Sequence, residues 1–313
     1  SDVDHPTLII LKSVIGKGSP NKAGTHGVHG AALGDDEVVQ SKRELGLPED
    51  QFFYIDPAAT EFFKARGKEL SASYDTWHKT LTEWEAANPA LAQEWRATEA
   101  DEITKAAKAA DLPAFNVGDK IATRKAGGAA LKALAAAVPS LVGGSADLAP
   151  SNNTALPEYG DFTTDNRGGR TLHFGVREHA MAAVSNGMAL HGLRPFAATF
   201  LVFSDYLRPG LRLSALMKLP VIYILTHDSI YLGEDGPTHQ PIEHLAVLRA
   251  IPNVHVLRPA DAEETVQSWL MALEYQGPTC LALTRQGLPV FEKADKNWTE
   301  TIRRGAYIAR DAD

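Results

Sequence analysis

Three side chains able to bind hydroxyls and move protons, His227, Asp235 and His239, fall within thirteen positions. They stand in THDS (226–229) and LGEDGPTHQP (232–241), directly after the apolar run LPVIYIL (219–225). An apolar run emptying into a Gly- and Pro-rich polar segment predicts a buried strand followed by a rigid loop. Other polar groups stand in the same relation to predicted strands. Ser145, Asp147 and Ser151 follow SLVGG (140–144), Glu178 follows RTLHFGV (170–176), and Arg285 follows TCLALT. Chance would scatter such groups to both ends of strands. Placement at one end predicts an active site, because open α/β sheets bind ligands at the carboxyl ends of their strands.

Each of these residues also has a plainer reading. Glu178, in GVREHAM (175–181), sits where a strand turns into a helix, and a carboxylate there stabilises the helix N-terminus. Phe200, Phe203 and Tyr206 recur at the spacing of a helical stripe, which usually packs a core. His26 and His29, in AGTHGVHG (23–30), suit a solvated Gly-rich loop. Arg124, in ATRKA, and Arg285, in LTRQ, read singly as surface or salt-bridge arginines. No Cys/His pair has zinc-ligand spacing, and no metal ligands are expected in the chain.

The elements that must position these groups follow from periodicity. From about 119, helices are expected at 121–137, 177–191, 203–217, 242–250 and 262–275, the last capped by Asp261. Strands are expected at 140–144, 170–176, 196–200, 220–226, 253–257 and 279–284. Strands separated by helices predict a parallel sheet with right-handed crossovers. The first part reads differently. PTLIILKSV (6–14) is its one convincing strand, 35–47 suggests a short helix, and 71–111 looks helical. A lone strand makes no sheet, so an incomplete α/β domain is expected here. The strand-like GAYIA (305–309) suggests that another domain follows.

Composition narrows the function classes. The 313 residues carry a formal charge of -8, which disfavours nucleic acid, although a local Arg/His cluster could still bind an anionic substrate. A single cysteine, Cys280, excludes an internal disulfide framework, and it is expected to be a small buried hydrophobe. With no signal peptide and no long apolar run, no membrane is expected and the cytoplasm is the simplest location.

GGSADLAPSN (143–152), GVREHAM, TFLVFSDY (199–206) and the loop at 226–241 occur in an order that resembles the transketolase family, and the likeness runs from PTLIILKSV to GAYIARD. The resemblance implies a thiamine diphosphate-binding fold. Residues 1–80 would end the diphosphate domain, 81–118 would be a helical linker, and 119–313 the pyrimidine domain. It implies that Glu178 contacts N1′ of the aminopyrimidine and favours its reactive tautomer. Phe200, Phe203 and Tyr206 would wall that ring, with His26, Asp147 and Leu148 also binding the cofactor. Arg124, Ser151, His227 and Arg285 would hold a substrate phosphate. Asp235 would select a hydroxyl stereoisomer, and His239 and His26 would bind the reacting end and shuttle protons.

The activity so implied is transfer of a two-carbon ketol unit between sugar phosphates, in the pentose phosphate pathway or Calvin cycle, by a homodimer. A related enzyme such as dihydroxyacetone synthase, or a catalytically incomplete chain, would fit the same motifs. The family's GDG…N motif for Mg²⁺ does not occur in the 313 residues, so the metal ligands are expected in an N-terminal half, supplied by a partner chain if separate. The C-terminal domain is likewise expected to be absent. Tyr231 stands where the family would have a small residue, usually Gly.

Overall fold

The computed structural model describes His5 and residues 7–311. The chain forms two compact units, 1–86 and 87–313. In the first, a single 3-10 turn, His26–Val28, precedes helices α1 (Asp35–Glu44) and α2 (Pro57–Ala87). Glu37 of α1 accepts hydrogen bonds from the Ser19 hydroxyl and from both nitrogens of Asn21, at 3.0 and 2.9 Å, tying the preceding loop to the helix. These bonds, Ser19's foremost, hold the Glu37 carboxyl down at about 2. The expected strand at 6–14 does not form over 7–14, and position 6 lies outside the described residues. Leu8, Ile9, Ile10 and Leu11 are 78–84% exposed. The physical reason is pairing: a strand's N–H and C=O groups need a neighbouring strand, and none runs beside this segment among the described residues.

The second unit opens with helices α3 (Pro89–Arg96) and α4 (Ala100–Lys108). Strand β1 (Lys120–Ala122) then leads into α5 (Thr123–Ala137). The helix expected from 121 therefore starts two residues late, because 120–122 pair antiparallel with β8 (Gly287–Pro289). Next come β2 (Leu141–Ser145), α6 (Ala149–Asn152), β3 (Thr171–His173), α7 (Glu178–Leu190) and β4 (Arg194–Phe200). These are followed by α8 (Ser204–Met217), β5 (Ile222–Thr226), α9 (His244–Arg249), β6 (His255–Leu257) and α10 (Ala262–Glu274). β7 (Thr279–Leu283), β8 and α11 (Trp298–Thr301) complete the order. GAYIA forms no strand; its Ile308 and Ala309 carbonyls accept from the amides of Asp295 and Ala294 at 3.2 and 3.1 Å.

Six strands make one sheet in the order β3-β2-β4-β5-β7-β6, and every pairing in it is parallel. The continuous apolar strands follow from cover on both faces. Phe196, Ile222, Ile224 and Leu281 pack against Leu131 and Leu134 of α5 and Trp269 and Leu273 of α10. Ala197, Tyr223, Leu225 and Cys280, the alternate residues, pack against Met181 of α7 and Leu207 and Leu211 of α8. Cys280 is fully buried, and burial pushes its thiol pKa up. Gly143 and Gly144 explain the pair in β2. A Cβ would lie 1.9 Å from the Phe196 carbonyl oxygen at Gly143, and 1.8 Å from that of Leu172 at Gly144.

Asp261 caps α10 as expected, accepting from the Glu264 amide at 2.9 Å, and its other oxygen binds the buried Lys293. Trp269 is fully buried between sheet and helices, so Trp269→Ala is expected to lower unfolding free energy by about 3–5 kcal/mol. Lys132→Ala, at an exposed position of α5, should change it by less than about 0.5 kcal/mol. Urea denaturation of both variants checks the contrast.

Candidate active site

Because all six strands run parallel, their carboxyl ends share one edge. Glu178 reaches that edge as the first residue of α7, with only 7% of its surface exposed. Thr199, one residue before the end of β4, donates to Glu178 Oε1 at 3.3 Å. That bond leaves Oε2 for a ligand nitrogen, and the apolar surroundings raise the worth of any hydrogen bond it makes.

The aromatic residues do not form one helical stripe. Phe200 ends β4, Phe203 closes a 3-10 turn, and Tyr206 lies in α8. They still form a continuous wall. The Phe200 and Phe203 rings are 5.7 Å apart and nearly coplanar in tilt, at 7°. Phe200 stacks on His227 at 3.7 Å, His239 meets Phe203 edge-on at 5.3 Å, and Tyr206 extends the wall at 6.1 Å from Phe203, largely exposed.

His227 follows β5 directly and is held in the left-handed region at φ 57°, which costs a non-glycine residue energy and aims its ring. The ring is buried. Burial, then the nearby Arg124, pushes its pKa down to about 4, with Arg285 and His239 acting in the same sense and Asp235 against them. Its Nδ1 lies 2.9 Å from Thr226 Oγ1. Thr226 donates to Asn152 Oδ1 at 2.6 Å, and Asn152 Nδ2 donates to Ser145 Oγ at 3.1 Å.

Two threonines bring the arginines together across 161 positions of sequence. The Thr123 amide donates to Thr284 Oγ1 at 3.0 Å, and the Thr284 amide donates to Thr123 Oγ1 at 2.7 Å. Arg124 and Arg285 are the next residues along. Arg124 Nη1 donates to the Ser151 main-chain oxygen at 2.7 Å, while its Nε is buried without a hydrogen-bond partner. Burial, then the Arg285 charge, lowers its pKa. Arg285 pairs with the exposed Glu234 at 2.7 Å. Two guanidiniums in this position, one with an orphaned N–H, suit a phosphate or sulfate group.

Asp147 is exposed and takes φ 61°, turning the chain sharply out of β2, and the half-buried Leu148 caps α6. Tyr231 points outward, 76% exposed. His26 belongs to the first unit, where it opens the 3-10 turn and is exposed. Thr123, Asn152, Thr199, Thr226, Glu234 and Thr284 were not singled out in the sequence. For Thr199 and Thr284, a hydroxyl inside or ending an otherwise apolar strand was the available signal. Among the described residues one group, Asp205, Glu243 and His244, has metal-ligating atoms within 4.8 Å. His244 Nε2 is 3.3 Å from Asp205 Oδ2 there, a hydrogen-bonded pair with the exposed Glu243 beside it.

Residues 119–290 match the model of the transketolase pyrimidine binding domain, and residues 1–104 that of the transketolase thiamine diphosphate binding domain. The chain belongs to the transketolase family. It is 48% identical to the transketolase of Treponema pallidum, over 98% of this chain and 47% of that protein. It is also 48% identical to that of Geobacillus stearothermophilus, over 100% and 47%. Among solved structures, Leishmania mexicana transketolase superposes with TM-score 0.81 at 41% identity, covering 94% of this chain and 43% of that one. A Pichia stipitis transketolase in complex with sedoheptulose 7-phosphate superposes with TM-score 0.83 at 38% identity, covering 97% and 45%. The chain thus spans about half the length of the transketolases it matches.

The histidine gives a pH prediction. The unfolded chain protonates His227 near 6.5, whereas the folded chain keeps it neutral down to about 4. The unfolded state therefore binds more protons in that window, and stability falls as pH drops through it. His227→Gln should remove that part of the decline, read as a flatter dependence of urea midpoint on pH. An unchanged dependence would show that His227 is not held neutral by the fold.

Proposed function

We propose that the complete protein transfers a two-carbon ketol unit from a ketose phosphate to an aldose phosphate, with thiamine diphosphate and Mg²⁺. The observation that carries this reading is one sheet edge holding a buried carboxylate, an aromatic wall and a pair of juxtaposed guanidiniums. The residues suit the aminopyrimidine: Glu178 has an oxygen available beyond its Thr199 bond, and Phe200 and Phe203 offer flat apolar faces. When bound, thiamine diphosphate supplies the nucleophilic carbon that cleaves the ketose C2–C3 bond and carries the two-carbon unit.

The chain's own residues do the rest. Glu178 shares the proton at N1′ of the aminopyrimidine, which a glutamine could not transfer. Asp147 and Leu148, at the turn after β2, line the cofactor with Tyr206. His239 and His26 bind the hydroxyl and developing oxygen at the reacting end and shuttle protons. Asp235 accepts from a substrate hydroxyl and so discriminates stereoisomers. Arg124, Arg285, Ser151 and His227 hold the phosphate, and Glu234 releases Arg285 when it arrives. The complex of the Pichia stipitis transketolase with sedoheptulose 7-phosphate supports a phosphorylated sugar as ligand.

We also propose a homodimer in the cytoplasm. Exposed apolar side chains on α7 and α8, among them Val184, Leu190, Leu213, Leu216 and Met217, give a second copy a surface to cover. Among the described residues no helix is long and apolar enough to cross a membrane.

In the completed enzyme, Glu178→Gln is expected to cut kcat by about 10²–10⁴-fold with little change in substrate affinity. Exchange of the thiazolium C2 proton should slow with it, and unchanged exchange would remove Glu178 from activation. Arg285→Ala should raise KM for phosphorylated donors by about 10–100-fold, the loss of a charged hydrogen bond, and spare hydroxypyruvate. Equal losses on both donors would contradict the phosphate assignment. Asp235→Ala should erode discrimination between hydroxyl stereoisomers, measured as the ratio of kcat/KM values, more than phosphate recognition.

A further inference from the structure

The hydrogen-bonded chain behind His227 has a direction. Ser145, Asn152, Thr154, Thr226 and His227 are each at most 3% exposed, so no solvent competes for their bonds. Ser145 Oγ lies 2.7 Å from Thr154 Oγ1 and accepts from Asn152 Nδ2, which turns the Asn152 oxygen toward Thr226. A threonine hydroxyl has one proton. Thr226 gives its proton to Asn152, so toward His227 it can only accept. The Nδ1 of His227 therefore carries the proton, and in the neutral ring Nε2 is a bare acceptor.

A fully ionised phosphate is also an acceptor at every oxygen. Nε2 and such a group meet favourably only with a proton between them. We propose that Asn152 and Thr226 are positioning residues that hold the His227 proton on Nδ1, so that a dianionic group enters the site only together with a proton taken up at Nε2. The step forms one N–H bond, with the proton drawn from solvent. It rests on the phosphate-binding reading of Arg124 and Arg285 given above.

The charges around the ring fit this coupling. Arg124, from the start of α5, and Arg285, after β7, oppose a positive His227, as does His239 from the loop after β5; Asp235 in that loop favours it. The neighbouring Asp228 is engaged by Arg258 at 2.7 Å, and Glu234 by Arg285. A bound dianion offsets both guanidiniums and so removes the charge repulsion that, after burial, keeps the ring neutral.

Sulfate is the suitable probe, because it stays dianionic while the protein titrates. For the 313-residue chain, sulfate affinity is expected to fall about tenfold per pH unit between about pH 5.5 and 7.5, the slope of one linked proton. The sign follows from the complex holding one more proton than the free chain. Histidine ¹⁵N spectra should show the Nδ1–H form without sulfate and the doubly protonated ring with it. Thr226→Val, nearly isosteric in a strand, frees the proton to move to Nε2 and should flatten the pH slope; Thr226→Ser should restore it.

A wild-type ring found in the Nε2–H form overturns the proposal without any variant. So does an undiminished pH slope in Thr226→Val. If the Nδ1–H form stands but sulfate leaves His227 unperturbed, the phosphate-binding reading fails, and the proton uptake with it, while the tautomer assignment holds.

Discussion

Burial of a parallel sheet on both faces is the constraint on which the second unit depends. Parallel strands need crossover helices, and helices above and below remove the sheet from water. Phe196, Ile222 and Ile224 turn one way and Ala197, Tyr223 and Leu225 the other, so β4 and β5 present apolar side chains to both helix layers. Polar side chains cannot be accommodated along such strands without partners. They collect where the strands end, and in a parallel sheet all the carboxyl ends lie together. The grouping of Glu178, His227 and Arg285 is thus a consequence of how the core is made.

At that edge the low polarity of the surroundings decides the charges. Arg124 is desolvated beside a second guanidinium, and one of its N–H groups has no partner. An arrangement of that kind is costly until an anion offsets it. Burial first, and then the same two charges, keep His227 neutral, so cation pair and imidazole respond to one ligand together. The exposed Glu234 pairs with Arg285, but such a contact contributes little and is readily exchanged.

The long apolar runs made the sheet legible in sequence, since six strands and five helices announce themselves by period and punctuation. The motif spacing made the family legible, and with it the residue types at the site. What failed were features that depend on a neighbour. The segment at 7–14 has strand composition but no strand beside it among the described residues, and 305–309 meets 294–295 through two main-chain bonds without forming a strand. Residues 120–122 pair with 287–289 and so delay a helix that local propensity alone would have started sooner. Phe200, Phe203 and Tyr206 have the spacing of one helical face, yet they occupy a strand end, a 3-10 turn and a helix.

By itself the sequence determined an α/β architecture, the family and which side chains would stand after which strand, because hydrophobic period and motif order are local properties. Only the tertiary structure decided the contacts between distant positions. The Thr123–Thr284 pair spans 161 positions and sets Arg124 beside Arg285. The Asn152–Thr226 bond spans 74 and fixes which nitrogen of His227 bears the proton. Hydroxyl and amide groups of this sort carry no periodic signal, and their direction is set by packing that brings them within hydrogen-bond distance.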